Sequence, residues 1–431
     1  MKNYNTLNDY LKEDIANFVK NITLGLGKVD THFMCDMFTG ILSHNSINLS
    51  DVVRSTGNTN IKKGVERLER HLDSFGDIES IIEVNYTKMI KPYINNRKLY
   101  FVDRSDIIKD EKTNFENLGF VLDGSDSHKI KHGYQINEIT TIDNCNQPIS
   151  LVSELRSSKD EEYLSDNELW MKHISNVFTT YGNGTFIFDR GYDGALLMEK
   201  MAKLGCDFII RAKHLERYVY VNDKKTTISD LAKKHKGFYN FNTTIHGKKN
   251  NLKVSVFNIR TKSNDAKELS DVPLSLVIVK GYALDEKTLN EAYMALITSR
   301  IVVGKNAVLQ VVRDYMLRWK IEENFKYKKQ QFKLEKVMVR RYKRIQVLNK
   351  ILTITMFFSN VVNIKAYGKT IRKIKLHFVK KEVKFWLYRI SDGIKKVISF
   401  FSDAIMKILY PKPQKRRRDL WTVMGVRYSG V

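Results

Sequence analysis

The chain has 431 residues, a formal net charge of +25 and a pI near 9.6. That charge exceeds what solubility requires and directs attention to a polyanionic partner, while the length predicts two or three structural regions. No apolar stretch approaches the roughly 20 residues that span a bilayer, since ILTITMFF is soon followed by Ser359 and Asn360. The first residues, MKNYNTLNDYLKED, lack the apolar core of a signal peptide. Cys35, Cys145 and Cys206 form no CxxC pair, so neither a disulfide framework nor a zinc site is expected, and cytoplasmic residence is.

Proline is scarce, so regions are read from changes of pattern. Residues 1–92 read as helical. Within them NLSDVVRSTG predicts a short helix ended by Gly57, and NIKKGVERLERHL a second with Ile61, Val65, Leu68 and Leu72 on one face. Lys62, Lys63, Arg67 and Arg70 occupy its other faces. The pair suits a helix-turn-helix that positions DNA, and a plain helical bundle with a solvated basic face accommodates the same residues.

From 93 to 212 the pattern changes to strands: KLYFVDRS, KHGYQINEITTID and ISLVSELRS, a helix around DNELWMKHISNVFTTY, the strand TFIFD, a helix starting near Tyr192, and CDFIIRAK. Asp103 falls at the end of the run Leu99, Phe101, Val102, with Asp106 its competitor and a hairpin-turn aspartate the alternative role. Asp189 falls at the carboxyl end of TFIF, where it could serve instead to cap the helix that follows. Three strands, a helix and a strand-helix-strand unit are the order of an RNase H-like core. In such a sheet the first and fourth strands lie side by side, which would bring Asp103 and Asp189 together.

Residues 213–295 carry alternating runs (YVYVND, GFYNFNTTI, LKVSVFNIR, LSLVIVKGY) and read as a β-rich insertion. The core is expected to resume over 296–345. The remainder, 346–431, reads as basic and helical, with an apolar face in RRYKRIQVLNKILTITMFF able to pack on the core or on a second protomer. KPQKRRRDL is expected to be a flexible basic segment for DNA backbone contacts. The fold class is therefore α/β: an RNase H-like core with a mixed sheet, interrupted by a β-rich insertion and flanked by helical terminal regions.

Within the resumed core, VLQVVRDYMLRWKIEENFKYKKQQF predicts an amphipathic helix on which Tyr315, Arg318, Glu322 and Lys329 are spaced by three, four and seven residues. At about 100° per residue all four return to one arc roughly 60° wide. The arc carries a phenol, a guanidinium, a carboxylate and an ammonium. A carboxylate framed by cationic and hydroxyl donors suits a metal site gripping phosphates; a solvated face with pairs such as Glu322 to Lys326 is the plainer account.

Tyr, two residues, Arg, three residues, Glu, six residues, Lys resembles the YREK signature of the insertion-sequence transposases grouped as the IS-four family, and RWKIEENF around it is similar too. Asp103 after its apolar run resembles that family's first metal ligand, and Asp-Arg-Gly at 189–191 its second. The resemblance implies a DDE transposase that cuts the ends of its own element and joins them to target DNA. Asp103, Asp189 and Glu322 would be metal ligands, and Tyr315, Arg318 and Lys329 would hold phosphates next to the cut. Breaking and remaking a phosphodiester needs an activated water or 3′-hydroxyl and neutralisation of the leaving oxygen, which two ions about 3.5 to 4 Å apart supply. Oxygen ligands select Mg2+ or Mn2+ over zinc. The implied partners are double-stranded DNA, as terminal inverted repeats and target, and a second protomer on paired ends. No membrane partner is expected, and the site of action would be the nucleoid.

Arg211 in FIIRAKH resembles a family arginine on the border of the insertion, although a surface residue after a buried strand reads the same. Hairpin-forming relatives place a base-stacking tryptophan before the strand written here as ALITS, where this chain has Tyr293 and Met294. Counting back without gaps puts Met294 at the tryptophan's place. Tyr293 could stack a base, but neighbouring strand residues point to opposite faces. His128 and His132 are read as DNA- or solvent-contacting residues, not general bases. Two further readings are a DNA-binding protein with a decayed transposase centre, which the three intact carboxylates speak against, and a nuclease of similar fold, which the complete signature speaks against.

Overall fold

The computed structural model describes residues 2–57, 59–109, 114–123, 129–160, 165–245, 248–261, 272–281, 293–374 and 385–398. The amino-terminal region is helical: α1 (Lys2–Ile22), α2 (Lys28–His44), α3 (Leu49–Ser55), α4 (Ile61–Asp73) and α5 (Gly76–Ile90). The two helices expected from NLSDVVRSTG and NIKKGVERLERHL are α3 and α4. Gly57 follows the first at φ +69, and the Asn60 side chain caps the second by accepting from Lys63 N at 3.0 Å. Helices α2 and α3 approach so closely that a Cβ on Gly40 would lie 2.8 Å from Val52 Cα.

The middle of the chain supplies β1 (Leu99–Ile108), β2 (Gly119–Asp123), β3 (Lys129–Ile142), β4 (Pro148–Arg156), α6 (Asp166–Tyr181), β5 (Thr185–Phe188), α7 (Ala195–Lys203) and β6 (Asp207–Arg211). It continues through β7 (Tyr218–Val221), β8 (Lys224–Thr227), α8 (Ile228–Lys234), β9 (Tyr239–Ile245), β10 (Lys248–Ile259), β11 (Leu274–Lys280) and β12 (Tyr293–Thr298). Ten strands form one mixed sheet in the order β2-β3-β1-β5-β6-β12-β11-β10-β9, with β4 also on β3, while β7 and β8 pair separately. Strands β1, β5 and β6 are parallel neighbours, and the other pairings are antiparallel.

The span 213–295 is β-rich, but β9 to β12 continue the central sheet instead of forming a sheet of their own. The junction is β12 against β6, with Leu296 opposite Arg211 and Thr298 opposite Ile209. Both faces of the sheet are covered, so the central strands carry apolar side chains on both faces. Leu99, Phe101, Ile187 and Ile209 join one core cluster with the helices on that side; Tyr100, Val102, Phe186, Phe188 and Ile210 join the other with α6, α7 and α8.

After the sheet come α9 (Gly304–Met316), α10 (Trp319–Lys326), α11 (Tyr342–Ile364), α12 (Gly368–Lys373) and α13 (Leu387–Ile398). Helix α11 is long and apolar enough to cross a membrane by length and composition alone, which corrects the expectation that Ser359 and Asn360 break the run. Both are buried inside it and satisfied: Ser359 Oγ meets Tyr327 Oη at 2.8 Å, and Asn360 Nδ2 donates to Asp143 Oδ2 at 3.2 Å and Pro148 O at 3.1 Å. Most of α11 is buried within the protein, against β4, the amino-terminal helices and α13. Phe358 meets Phe18 and Phe38 edge-on at 5.2 and 5.3 Å, and Arg344 bonds Asp73 of α4 at 2.8 Å. The segment KPQKRRRDL lies outside the described residues.

Packing beside β1 is tight at Gly133 of β3, where a Cβ would come within 2.4 Å of Ile107 O and 2.9 Å of Val121 Cγ2. Gly133→Ala is expected to cost about 1–3 kcal/mol of unfolding free energy in denaturant titration. Gly194→Ala, where an added Cβ meets nothing within 4 Å, should stay within about 0.5 kcal/mol.

Candidate active site

The parallel ladder of β1 and β5 ends with Val102 opposite Phe188, so Asp103 and Asp189 are the next residues on two adjacent strands. Their sequence parity with Phe101 and Ile187 puts them on the sheet face that α9 and α10 cover. Tyr315 near the end of α9 donates from Oη to Asp189 Oδ1 at 3.2 Å. Arg318, between the helices, donates from Nη1 to Asp103 Oδ2 at 3.1 Å and from Nη2 to Glu322 Oε1 at 2.6 Å. Five of the residues singled out in the sequence are thereby linked. Asp103 rather than Asp106 makes the arginine contact, and Asp106 lies further along β1 opposite Gln135. Asp189 sits at the start of a 3-10 turn, Arg190–Tyr192, without capping it through its side chain.

The helical stripe is corrected in its geometry. The segment is not one straight helix: α9 stops at Met316, and the backbone passes through three-residue bonds, Arg318 N to Tyr315 O at 2.9 Å and Ile321 N to Arg318 O at 3.1 Å, before α10 is established. A π-helical turn, Tyr327–Gln331, then follows α10. Each departure from 3.6 residues per turn rotates what comes after it. In this segment Lys328 turns into the core, and Lys329 pairs with Glu335 at 3.2 Å. Lys326 lies over the Trp319 ring at 5.1 Å, while Glu322 takes Arg318 as its partner.

Electrostatics follow from crowding. Burial pushes the Asp103 carboxyl up to about 6; Arg318 and the Arg104 backbone N–H, 2.8 Å from Asp103 Oδ1, oppose the rise, and Asp189 and Glu322 add to it. Burial and the neighbouring Asp189 raise the Tyr315 phenol well above its usual range, so it remains a donor. Burial works against charge on Arg318, but Tyr315, Asp189, Asp103 and Glu322 outweigh it and hold the guanidinium protonated. Among the described residues no three His, Cys, Asp or Glu side chains are gathered closely enough to hold an ion between them. Here the guanidinium stands between Asp103 and Glu322. The donor set nevertheless fits a hard divalent cation: it is all carboxylate oxygen, with surplus negative charge that such a cation would offset.

A second group lies beside the first. Arg211 at the end of β6 and Tyr293 at the start of β12 line a cavity of about 160 Å³ with Arg190 and Lys213. Tyr293 is half-buried against it, while Met294 is 1% exposed and packs in the core, so of these two neighbours it is the tyrosine that faces the cavity. Asp193, which the sequence reading passed over inside DRGYD, staples this rim: it accepts from Lys213 N at 2.7 Å and from Arg217 Nη1 at 2.5 Å. Asp314, Glu138, Asn324 and Lys328 were also missed. Asp314 is buried between Arg300 at 2.7 Å and Arg97 at 3.2 Å, and the only sequence signal for it was a charged residue on an apolar helix face.

Lys62 and Lys63 are exposed on α4. Arg67 is not on that free face: its guanidinium turns inward to the buried Asp36 of α2 at 2.5 Å, because Asp36 needs a counter-charge. The His132 ring lies tilted against that of Phe120 across the β2–β3 ladder, centroids 4.8 Å apart, and His128 lies outside the described residues.

The family model for the transposase DDE domain matches residues 100–358, a stretch that includes Asp103, Asp189 and the whole of α9 and α10. The chain belongs to that family. It is a DNA transposase, an enzyme of the DDE type whose domain acts with divalent metal ions. A search of curated proteins gives no match. Among solved structures, the chain is similar to the piggyBac transposase synaptic complex with hairpin DNA, determined by cryo-EM, at 10% identity and a TM-score of 0.44, over 98% of this chain and 84% of that one.

The opposite settings of the two β12 neighbours are separable by substitution. Met294→Ala is expected to lose about 2–5 kcal/mol of stability by leaving a core cavity. Tyr293→Ala, at a half-buried position on the cavity rim, should lower the thermal midpoint far less. Equal losses would contradict the assignment of faces.

Proposed function

We propose that this transposase belongs to the IS-four group marked by the YREK signature, that it cuts the ends of its own insertion sequence and joins them to target DNA in a cut-and-paste reaction, and that Asp103, Asp189 and Glu322 are its catalytic carboxylates on an RNase H-like core. The observation that carries this reading is the Arg318 bridge between Asp103 and Glu322, beside the Tyr315 bond to Asp189. Residues far apart in the chain meet at the ends of two parallel strands, in the chemistry the family needs.

In this reading Asp103, Asp189 and Glu322 hold two Mg2+ or Mn2+ ions, which when bound activate the attacking oxygen and neutralise the leaving one. Tyr315 keeps Asp189 oriented through its phenol proton. Arg318 exchanges a carboxylate for a phosphate oxygen of the DNA beside the cut, a bidentate contact for which guanidinium is suited. Arg211 and Tyr293, with Arg190 and Lys213, offer cations and one aromatic face to a strand end leaving the site. Lys62 and Lys63 on the free side of α4 meet backbone phosphates, with residues 1–92 as the DNA-positioning region. The core comprises 93–212 and 296–345 and is extended by 213–295, and 346–431 contributes to pairing of two protomers on the two terminal inverted repeats. Lys329 acts on phosphate only by leaving Glu335.

The decisive assay places purified protein on DNA carrying the element's end with Mg2+ and resolves nicks, hairpins and joined products. Asp103→Ala, Asp189→Ala and Glu322→Ala should each reduce cleavage by at least about 10³-fold while end binding stays within a few-fold; full cleavage by any one removes that residue from the site. Arg318→Ala is expected to lower the slope of log K against log salt by about 1, as one phosphate contact is lost. An unchanged slope together with an unchanged rate would take Arg318 out of the DNA contact.

A further inference from the structure

Behind the carboxylates lies a second charged group, fully enclosed, for which the chemistry above has no use. Glu138 of β3 stands opposite Asp103 in the β1–β3 register, and its side chain and that of Lys328 are both wholly buried. Lys328 Nζ donates to Glu138 Oε2 at 2.8 Å, Ser153 Oγ at 2.6 Å and Thr353 Oγ1 at 3.1 Å, so each ammonium hydrogen has an acceptor. The other carboxylate oxygen, Glu138 Oε1, accepts from Asn324 Nδ2 at 2.6 Å and from Ser150 Oγ. Asn349 of α11 in turn holds Ser153 Oγ at 2.9 Å.

Such a network is a poor device for stability alone, because desolvating two ions offsets most of their attraction and a packed apolar pair would serve as well. It does supply direction. Asn324 and Lys328 lie just beyond Glu322, one on α10 and one in the π turn, and both reach the same carboxylate. That carboxylate is fixed to the strand of Asp103 by backbone pairing. The helix carrying Glu322 is thereby referenced to the strand carrying Asp103 through one buried side chain, across a segment whose helical path is broken on both sides.

We infer that Glu138, with Lys328 and Asn324, is a positioning group that sets where α10 presents Glu322 relative to Asp103, and so sets the affinity of the carboxylates for a divalent cation. The inference rests on the reading of Asp103, Asp189 and Glu322 as metal ligands.

The test measures Mn2+ binding to the full chain by electron paramagnetic resonance, with thermal unfolding alongside. Glu138→Leu combined with Lys328→Met removes both charges together and is expected to unfold within about 5 °C of the unaltered chain. Its Mn2+ Kd should nonetheless rise at least about tenfold, the size of effect that loss of a ligand's supporting contacts produces. A double variant that is stable and binds Mn2+ with unaltered affinity overturns the inference, since the pair would then only be filling the core. If the double variant does not fold, Asn324→Leu decides: it leaves the ion pair in place and should still weaken Mn2+ at least threefold, and unaltered affinity there overturns the inference equally. Asp103→Asn separates the two levels. Mn2+ retained by Asp103→Asn removes the metal-site reading and the inference with it, whereas Mn2+ lost in Asp103→Asn but kept in the positioning variants removes the inference alone.

Discussion

Three carboxylates held at the ends of two buried strands and a neighbouring helix repel one another, and the surroundings of the site are arranged around that repulsion. At Asp103 burial chiefly, and its acidic neighbours to a smaller extent, raise the carboxyl despite a guanidinium at 3.1 Å. Arg318 is the counterweight, since one planar side chain spans Asp103 and Glu322 as two separate cations could not without two more desolvated side chains. Its own position depends on the break after α9. Had α9 run on unbroken into α10, Tyr315, Arg318 and Glu322 would share a face but would be spaced only along one axis. The three-residue bonds at 315–321 turn the axis, so that Tyr315 reaches the β5 end while Arg318 and Glu322 reach the β1 end.

A broken helix needs something to fix its second half, and this is where α11 enters. It runs as a buried spine, touching β4, the amino-terminal helices and α13. Through Thr353 and Asn349 it closes the polar network around Glu138 and Lys328, and through Ser359 it reaches Tyr327 in the π turn. Of the polar residues that interrupt its apolar run in sequence, Ser359 grips the π turn after α10 and Asn360 grips Asp143 and Pro148. Burying polar groups of this kind favours pairing them, and the partners of Thr353, Asn349 Nδ2 and Ser359 come from β4 and the π turn.

Much of this was legible in the sequence because it follows from local rules. Strand ends announce themselves by an apolar run stopping at an aspartate, as at Asp103 and Asp189, and spacings of three and four residues marked Tyr315, Arg318 and Glu322 as neighbours. The partner of Lys329, Glu335, could not be read from 3.6 residues per turn, and nothing in KYKKQQF advertises the π turn in which it and the buried Lys328 lie. Arg67 was misplaced for a related reason: helical periodicity gave its face, but not that Asp36 of another helix would be buried there and in need of a cation. Glu138 was invisible among the alternating residues of NEITTID, since its partners come from distant segments. Local pattern reports which face a side chain is on, and only tertiary pairing decides what it meets.

The same distinction governs the inserted strands. Read as a separate β-rich unit, 213–295 would bring its residues to the site on a flexible tether. Because β12 pairs with β6 on one side and β11 on the other, Tyr293 is held instead by the register of the central sheet, itself opposite Lys280, with Met294 opposite Val279 and Leu296 opposite Arg211. Arg313 of α9 lies over the Phe241 ring of β9 at 5.0 Å, so the helix leading into α10 also packs on the extension. Side chains placed on strands are held more closely than side chains on loops. The cavity formed by Arg190, Arg211, Lys213 and Tyr293 is accordingly set at a fixed distance from Asp189, which immediately precedes Arg190 in the chain. Tyr293 and Arg211 are thus registered against Asp189 by the pairing of the sheet itself.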